Sequence, residues 1–339
     1  LIQVGDSVMT IQMSRIIRSS NTKKRASFRS CRLGLGTVAL TATLSLSPSK
    51  AAVALSYNPT GVFFANTGVP TSDLALTSTG EILATSYDGG WIRRYNSSGG
   101  LLSQFGTNLN GPWGIAADST GTIFAANFNA NELQRYNSSG VLLGSTPFNE
   151  PGGIAIESSG NVLVSSYSAP SIGRFSSTGT FLGTFTTSNL SNPLGIAINS
   201  ATGEVLVANR GSDSITRYDS AGVFQSTLVS GLPGVIDVVI DSTGDVLVST
   251  ATSVQRFNGA GVLQQTLIPL GTGEIEGLTL DGTGSLLAGQ RDGTITRFTA
   301  IPVPFAFCPL WGFLPLGIRR LKQQFSKLRN RSSAQESSF

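Results

Sequence analysis

The feature that most constrains this chain is a unit of about 40 residues that occurs six times in succession. Each copy reads as an apolar tetrad, a polar turn ending in glycine, an apolar strand, a variable loop, an Arg-aromatic pair and a second glycine turn. The clearest copies are GIAADSTGTIFAANFNANELQRYNSSG from Gly114, GIAIESSGNVLVSSYSAPSIGRFSSTG from Gly153 and GIAINSATGEVLVANRGSDSITRYDSAG from Gly195. Weaker copies start at Asp73, Asp237 and Gly277. The first turn glycines, Gly80, Gly121, Gly160, Gly203, Gly244 and Gly284, lie 41, 39, 43, 41 and 40 residues apart. A sheet of four short strands cannot bury both of its faces alone, whereas six such sheets packed around an axis can. The spacing therefore predicts an all-β, closed six-bladed β-propeller over residues 55 to 300, with almost no helix.

The sixth copy stops at Arg297-Phe298, without the strand that follows the second glycine turn elsewhere. A matching segment precedes the first copy: NPTGVFFANT from Asn58 aligns with NSSGVLLGST from Asn137. The N-terminal strand is expected to complete the last blade and so remove an unpaired sheet edge. At these motifs the chain resembles the NHL-repeat family. The nearest copy runs from Asn192-Pro-Leu-Gly-Ile-Ala-Ile-Asn199 through Val205-Leu-Val-Ala-Asn209 to Tyr218-Asp-Ser-Ala-Gly222. The Arg-Tyr turns also look like those of gluconolactonase-type propellers and of the streptogramin lyase family. The resemblance implies the fold and says little of function, since propellers host unrelated activities.

Composition removes much enzyme chemistry. The chain has no histidine, so imidazole bases, Ser-His-Asp and Cys-His nucleophiles and His-ligated metals are excluded, as is the histidine-dependent chemistry that a streptogramin lyase resemblance implies. Its two cysteines, Cys31 and Cys308, lie in the end segments, so no disulfide staples the repeats. The net charge of +4 comes from the ends. Between Val53 and Phe298 stand nine arginines, no lysine and 17 acidic residues, so the folded part is acidic and nucleic acid is excluded as its partner.

The end segments read as sorting signals. Residues 1 to 54 form a basic region and signal peptide: basic residues through Arg32, an uncharged run Leu33 to Leu46, then small residues around Ala52 and Ala54. The run of 14 residues is short for a membrane span, which needs about 20. Residues 301 to 339 hold an uncharged stretch, Ile301 to Ile318, broken by four prolines and followed by Arg319 and Arg320. Its order resembles a PEP-CTERM-type sorting signal of the cyanobacterial kind at Val303, Pro304, Phe305 and Phe307. Ala306 departs from that pattern, standing where an acidic residue is usual. A plain membrane anchor is the competing reading. Export, retention at the envelope and membrane contact through the C-terminal segment are expected, with the propeller a monomer.

Arg94, Arg135, Arg174, Arg217, Arg256 and Arg297 recur in every blade and read as scaffold, pairing with carbonyls or carboxylates of neighbouring blades. Exceptions to the repeat are better site candidates. Asp73 and Asp237 replace the glycine that opens the other tetrads, and innermost strands face the channel. Glu276 precedes Gly277-Leu-Thr-Leu-Asp281, a segment resembling the one that supplies a metal carboxylate in gluconolactonase-type propellers. Asp73, Asp237 and Glu276 are thus the candidate metal ligands, with Ca2+ as the candidate cofactor. Trp113, Glu150, Asn127 and Asn209 are the candidate ligand contacts. The strand ends hold Ser86, Asn127, Ser166, Asn209, Thr250 and Gln290, uncharged where NHL repeats carry aspartate. This pattern favours a non-catalytic binding module for a protein, carbohydrate or small molecule. A divalent-metal lactone hydrolase and a structural matrix protein are the alternatives.

Overall fold

The computed structural model describes residues 2–4, 7–9, 55–64, 69–106 and 108–302. The signal-peptide residues from 13 to 54 and the sorting-signal residues from 303 onward lie outside them. Two compact units are present. In the first, residues 1–50, the strands Ile2–Val4 and Ser7–Met9 pair antiparallel. The second contains six four-stranded antiparallel sheets and, among the described residues, only two short 3-10 turns, Phe128–Ala130 and Arg210–Ser212. No helix among the described residues is long and apolar enough to cross a membrane. The second unit is the six-bladed all-β propeller that the repeat predicts.

From the axis outward, the first blade is Asp73–Leu76, Ile82–Ser86, Trp91–Tyr95 and Leu101–Phe105. The next four follow the same order, with innermost strands Pro112–Ala117, Pro151–Ile156, Pro193–Ile198 and Val238–Ile240. The sixth contains Ile275–Leu280, Leu286–Gln290 and Ile295–Pro302, and its outer position is taken by Leu55–Phe64.

The second strands are buried end to end, as in ILATS at 82–86 and VLVSS at 162–166. Alternate side chains go to opposite faces of a strand, and here each face meets another blade, so a continuous apolar run is required instead of an alternating one. Six apolar clusters result, one per interface between adjacent blades. Leu83 and Ile92 of the first blade pack with Ile123 and Tyr136 of the second, and Leu74 and Tyr95 of the first with Leu287 and Ile295 of the sixth. The aromatic of each Arg-aromatic pair lies in one of these clusters.

The register shifts at all six Arg-aromatic pairs, between Arg94 and Tyr95 in the first blade and at the equivalent step in the others. The aromatic stays in the core while the arginine reaches the next blade. Arg174 donates to the carbonyl of Ser220 at 3.1 Å, Arg217 to Gly259 at 2.8 Å and Arg297 to Ser97 at 3.1 Å. Within its own blade Arg174 pairs with Glu157, Arg217 with Glu204 and Arg297 with Asp281. The scaffold role read from the repeat is what these bonds perform.

In the first turns a side chain replaces backbone partners. Asp118 Oδ1 accepts from the amides of Thr120 and Thr122, each at 2.9 Å, and Gly121 closes the turn at φ 90°, where a side chain would be strained.

The pairing of Leu55–Phe64 corrects one detail of the repeat alignment. Gly61 lies opposite Arg297, as Gly144 lies opposite Arg135, so the strand sits four residues from the register in which Asn58 matches Asn137. A strand not joined to its neighbour by a tight turn takes its register from burial. Tyr57, 1% exposed, packs with Leu267, Leu278 and Phe298, and its backbone N–H and C=O both bond the Gln265 side chain. The last strand also continues to Pro302, two residues past the expected end of the domain.

Candidate functional site

In each antiparallel sheet the second strand ends where the innermost strand begins, so these two points from all six blades form one mouth of the channel. The residue just past the second strand is Tyr87, Phe128, Tyr167, Arg210 and Arg291 in five blades, and in the fifth, whose second strand is one residue shorter, the equivalent position is Ala251. The residue before the tetrad is Ser72, Trp113, Gly152, Leu194, Ile236 and Glu276. These two rows, both variable within an otherwise regular repeat, supply most of the wall of a cavity of about 290 Å3 at that mouth.

One side of the wall is aromatic. Tyr87 meets Trp113 edge to face at 5.7 Å between centroids, and Phe128 contacts Tyr87 at 6.1 Å, Trp113 at 6.0 Å and Tyr167 at 5.9 Å. Such pairs hold each other's orientation and contribute about 0.5–1.5 kcal/mol beyond area burial. The Tyr87 hydroxyl donates to Asn129 Oδ1 at 2.9 Å. The other side is charged. Glu274 accepts an ion pair from Arg210 at 3.2 Å and from Arg291 at 3.2 Å, and Arg291 also stands 3.7 Å from Glu276. Asp88 lies exposed at the rim.

Glu276 is the buried member, 4% exposed. Burial pushes its carboxyl up to about 7; Arg291 and Arg210 pull down, while Glu274 and Asp88 push further up. Its carboxylate accepts no hydrogen bond from the described residues, and Arg291 is its one ion-pair partner among them. Trp113 and Glu276 line both the mouth cavity and a smaller one of about 10 Å3 deeper in the channel.

The expected metal ligands Asp73, Asp237 and Glu276 all line the small cavity of about 10 Å3, and the oxygens of both aspartates are bonded to backbone amides. Asp73 Oδ1 accepts from Leu74 N at 2.7 Å and Oδ2 from Ile115 N, in the second blade, at 2.8 Å. Asp237 repeats the arrangement with Val238 N at 2.8 Å and Leu278 N, in the sixth blade, at 2.7 Å. Each carboxylate is a clasp between adjacent innermost strands. Burial and the Asp237 carboxylate push Asp73 well above the usual carboxylate range, and burial pushes Asp237 up to about 7 despite its two N–H donors. Among the described residues no group of three or more His, Cys, Asp or Glu is placed to hold a metal ion.

The glycine blades show why a clasp is needed at only two places. A Cβ on Gly153 would stand 2.4 Å from the Leu194 carbonyl oxygen, and one on Gly277 would stand 2.5 Å from Asp73 Cα, so at these interfaces the strands already touch through backbone.

Of the expected ligand contacts, only Trp113 lines the mouth cavity. Asn127 is fully buried: Oδ1 accepts from Asn110 N at 2.7 Å and Nδ2 donates to Asn108 O and Glu132 Oε1. Asn209 accepts from Ser191 N at 3.0 Å and donates to Thr216 Oγ1 at 2.7 Å. Both tether the loop entering their blade, as Gln290 does through Gly271 N at 2.9 Å. Glu150 is set apart by a left-handed φ of 39° in a loop where its N–H donates to Asn131 Oδ1.

No protein-family model matches the sequence, and no curated protein matches it. Solved structures share the architecture. A gluconolactonase from Xanthomonas campestris is 16% identical with a TM-score of 0.60, covering 71% of this chain and 89% of its own. A putative gluconolactonase is 14% identical with a TM-score of 0.62, covering 72% and 92%. A catalytically inactive His-to-Ala variant of virginiamycin B lyase from Staphylococcus aureus, with quinupristin, is 14% identical with a TM-score of 0.55, covering 73% and 99%. At these identities the likeness defines a class by fold, six-bladed β-propellers that include gluconolactonase-like proteins.

Proposed function

We propose that this protein is a non-catalytic binding module that takes a small molecule, or a small group of a larger partner, in the mouth cavity. The observation that carries the reading is the cavity wall, aromatic on one side and charged on the other, with Glu276 buried beneath it. Small-ligand sites combine apolar surface with a few fixed polar groups in this way. The loop tethers at Asn127, Asn209 and Gln290 hold those walls in place before any ligand arrives, which lowers the entropy cost of binding.

A divalent-metal lactone hydrolase is the rival reading, drawn from the gluconolactonase-like neighbours and from Glu276. It needs further free carboxylates near Glu276, whereas Asp73 and Asp237 are bonded to backbone amides and Glu274 to two arginines. A lyase reading has no histidine to act with. The propeller is further proposed to work outside the cell, on the pattern of residues 1 to 54.

A thermal-shift screen of the full chain against small amines, sugars and amino acids, followed by calorimetry, tests the reading beside a lactone panel assayed with and without Ca2+. The expected result is a ligand that raises Tm in the parent protein and not in Trp113→Ala, with no turnover. Ca2+-dependent lactone hydrolysis lost in Glu276→Gln would replace this reading with the rival.

A further inference from the structure

We infer that the mouth cavity is a site for an organic ammonium ion, its cation held between the Glu276 carboxylate and the aromatic wall led by Trp113. This rests on the reading of the mouth as a binding site and names the class of ligand.

Charge is the first argument. Three carboxylates, Asp88, Glu274 and Glu276, stand among the cavity residues against two guanidinium groups, Arg210 and Arg291. Glu274 engages both arginines at 3.2 Å, which leaves Glu276 with the longer 3.7 Å approach from Arg291. The Arg291 side chain is 58% exposed, so water competes for it and it can swing aside at small cost. An anionic ligand would meet uncompensated Glu276, and a neutral one would leave the excess negative charge as it was.

Hydrogen bonding is the second. Glu276 is 4% exposed as a residue, and no donor from the described residues gives its carboxylate a hydrogen bond at the cavity wall. Buried charges of this kind call for a partner that brings both charge and donors.

The third is the opposite wall. Trp113 shares the mouth cavity and the small one beneath it with Glu276, and Tyr87, Phe128 and Tyr167 extend the aromatic surface through ring contacts. Ring faces attract cations, ammonium groups above all, and do so more strongly once water is excluded. A cavity of about 290 Å3 is at the small end of the range for ligand sites, which suits an amine bearing a short chain or a single ring.

The test is calorimetric titration of the full chain at pH 8 with benzylammonium, which carries N–H donors, choline, 3,3-dimethyl-1-butanol as the uncharged isostere of choline, and glucose. Ammonium ligands are expected to bind at least tenfold more tightly than the isostere. Trp113→Ala should weaken them by about tenfold, the scale of a desolvated cation–π contact, and Glu276→Gln should abolish the preference. Because a change at a buried position can impair folding, Arg291→Ala serves as the second variant. It removes an exposed side chain that competes for Glu276, and it should tighten ammonium binding severalfold. Equal affinity for choline and its isostere, or unchanged ammonium binding in both Glu276→Gln and Arg291→Ala, overturns the inference. Binding of glucose without any ammonium ligand overturns it too, while leaving the mouth a binding site. If none of the four probes binds, the inference falls, and the broader screen above decides separately whether the mouth binds anything.

Discussion

The six equivalent arginines make a graded experiment, because their surroundings differ while their place in the repeat does not. Arg256 is the most engaged. Its side chain, 6% exposed, pairs with Asp241 at 3.3 Å and Asp245 at 2.7 Å, donates to the Leu55 carbonyl in the strand of the neighbouring blade, and lies 5.7 Å from the Tyr57 ring. Arg135 has one 3.5 Å bond, to the Ser177 carbonyl, and no carboxylate partner among the described residues. Replacing each by methionine keeps most of the aliphatic stem and removes the guanidinium. In Arg256→Met the Asp241 carboxylate, with its side chain 1% exposed, is left without its counter-charge, a change that costs about 3–5 kcal/mol. Arg135→Met loses one long hydrogen bond, about 1 kcal/mol or less. For a domain of this size each kcal/mol moves Tm by about 2–4 °C, so the two variants should separate by roughly 10 °C in a thermal melt followed by circular dichroism. Equal melting temperatures would refute the reasoning, because they would mean that the buried ion pairs add nothing beyond the shared carbonyl bond.

Three further outcomes are expected. Gly153→Ala should destabilise by about 1–3 kcal/mol in denaturant unfolding, because its Cβ meets backbone at 2.4 Å, whereas Gly144→Ala, with nothing within 4 Å, should be neutral or slightly stabilising. Glu276 has a folded-state value of about 7 against an ordinary 4.5, so the unfolded chain releases its proton first and stability falls as pH rises from about 4.5 through 7. Glu276→Gln lacks that loss, so its unfolding free energy relative to the parent should rise across that window, by up to about 3 kcal/mol at roughly 1.4 kcal/mol per pH unit, and a flat difference from pH 4 to 8 in denaturant unfolding would contradict it. Asn209→Ala should cost about 1–3 kcal/mol in chemical unfolding by removing the acceptor of the half-buried Ser191 N–H and leaving the buried Thr216 hydroxyl with Tyr218 Oη alone, and it should weaken ligand binding at the mouth without abolishing it.

The architecture was legible because six copies carry the same punctuation, and the arginines could be assigned to the scaffold because what recurs in every blade belongs to what every blade needs. The site was legible only in part. Glu276 was legible from the segment it precedes and Trp113 from its place on the same set of loops, and both line the mouth. Tyr87, Phe128, Tyr167, Arg210 and Arg291 follow immediately after strand-end residues that drew attention instead, and strand ends such as Asn127 and Asn209 prove to be buried tethers. Within a strand, neighbouring residues point opposite ways, so a misjudgement of one position exchanges a ligand contact for a structural bond. Asp73 and Asp237 were visible as exceptions to the repeat. Their use as clasps depends on the closeness of adjacent innermost strands, a distance that no periodicity records.

The pairing of Leu55–Phe64 with Ile295–Pro302 has a consequence for synthesis. Tyr57 and its side-chain partner Gln265 are 208 residues apart, and at about 5–20 residues per second a ribosome needs on the order of 10–40 s to produce that interval. Through all of it the segment LSYNPTGVFF has no strand to pair with, although five blades are already able to fold behind it. A nascent chain in this state exposes Tyr57 and Phe63 to any other unfinished copy nearby. Yield during production should therefore respond to chaperone supply and translation rate more than to the stability of the finished ring.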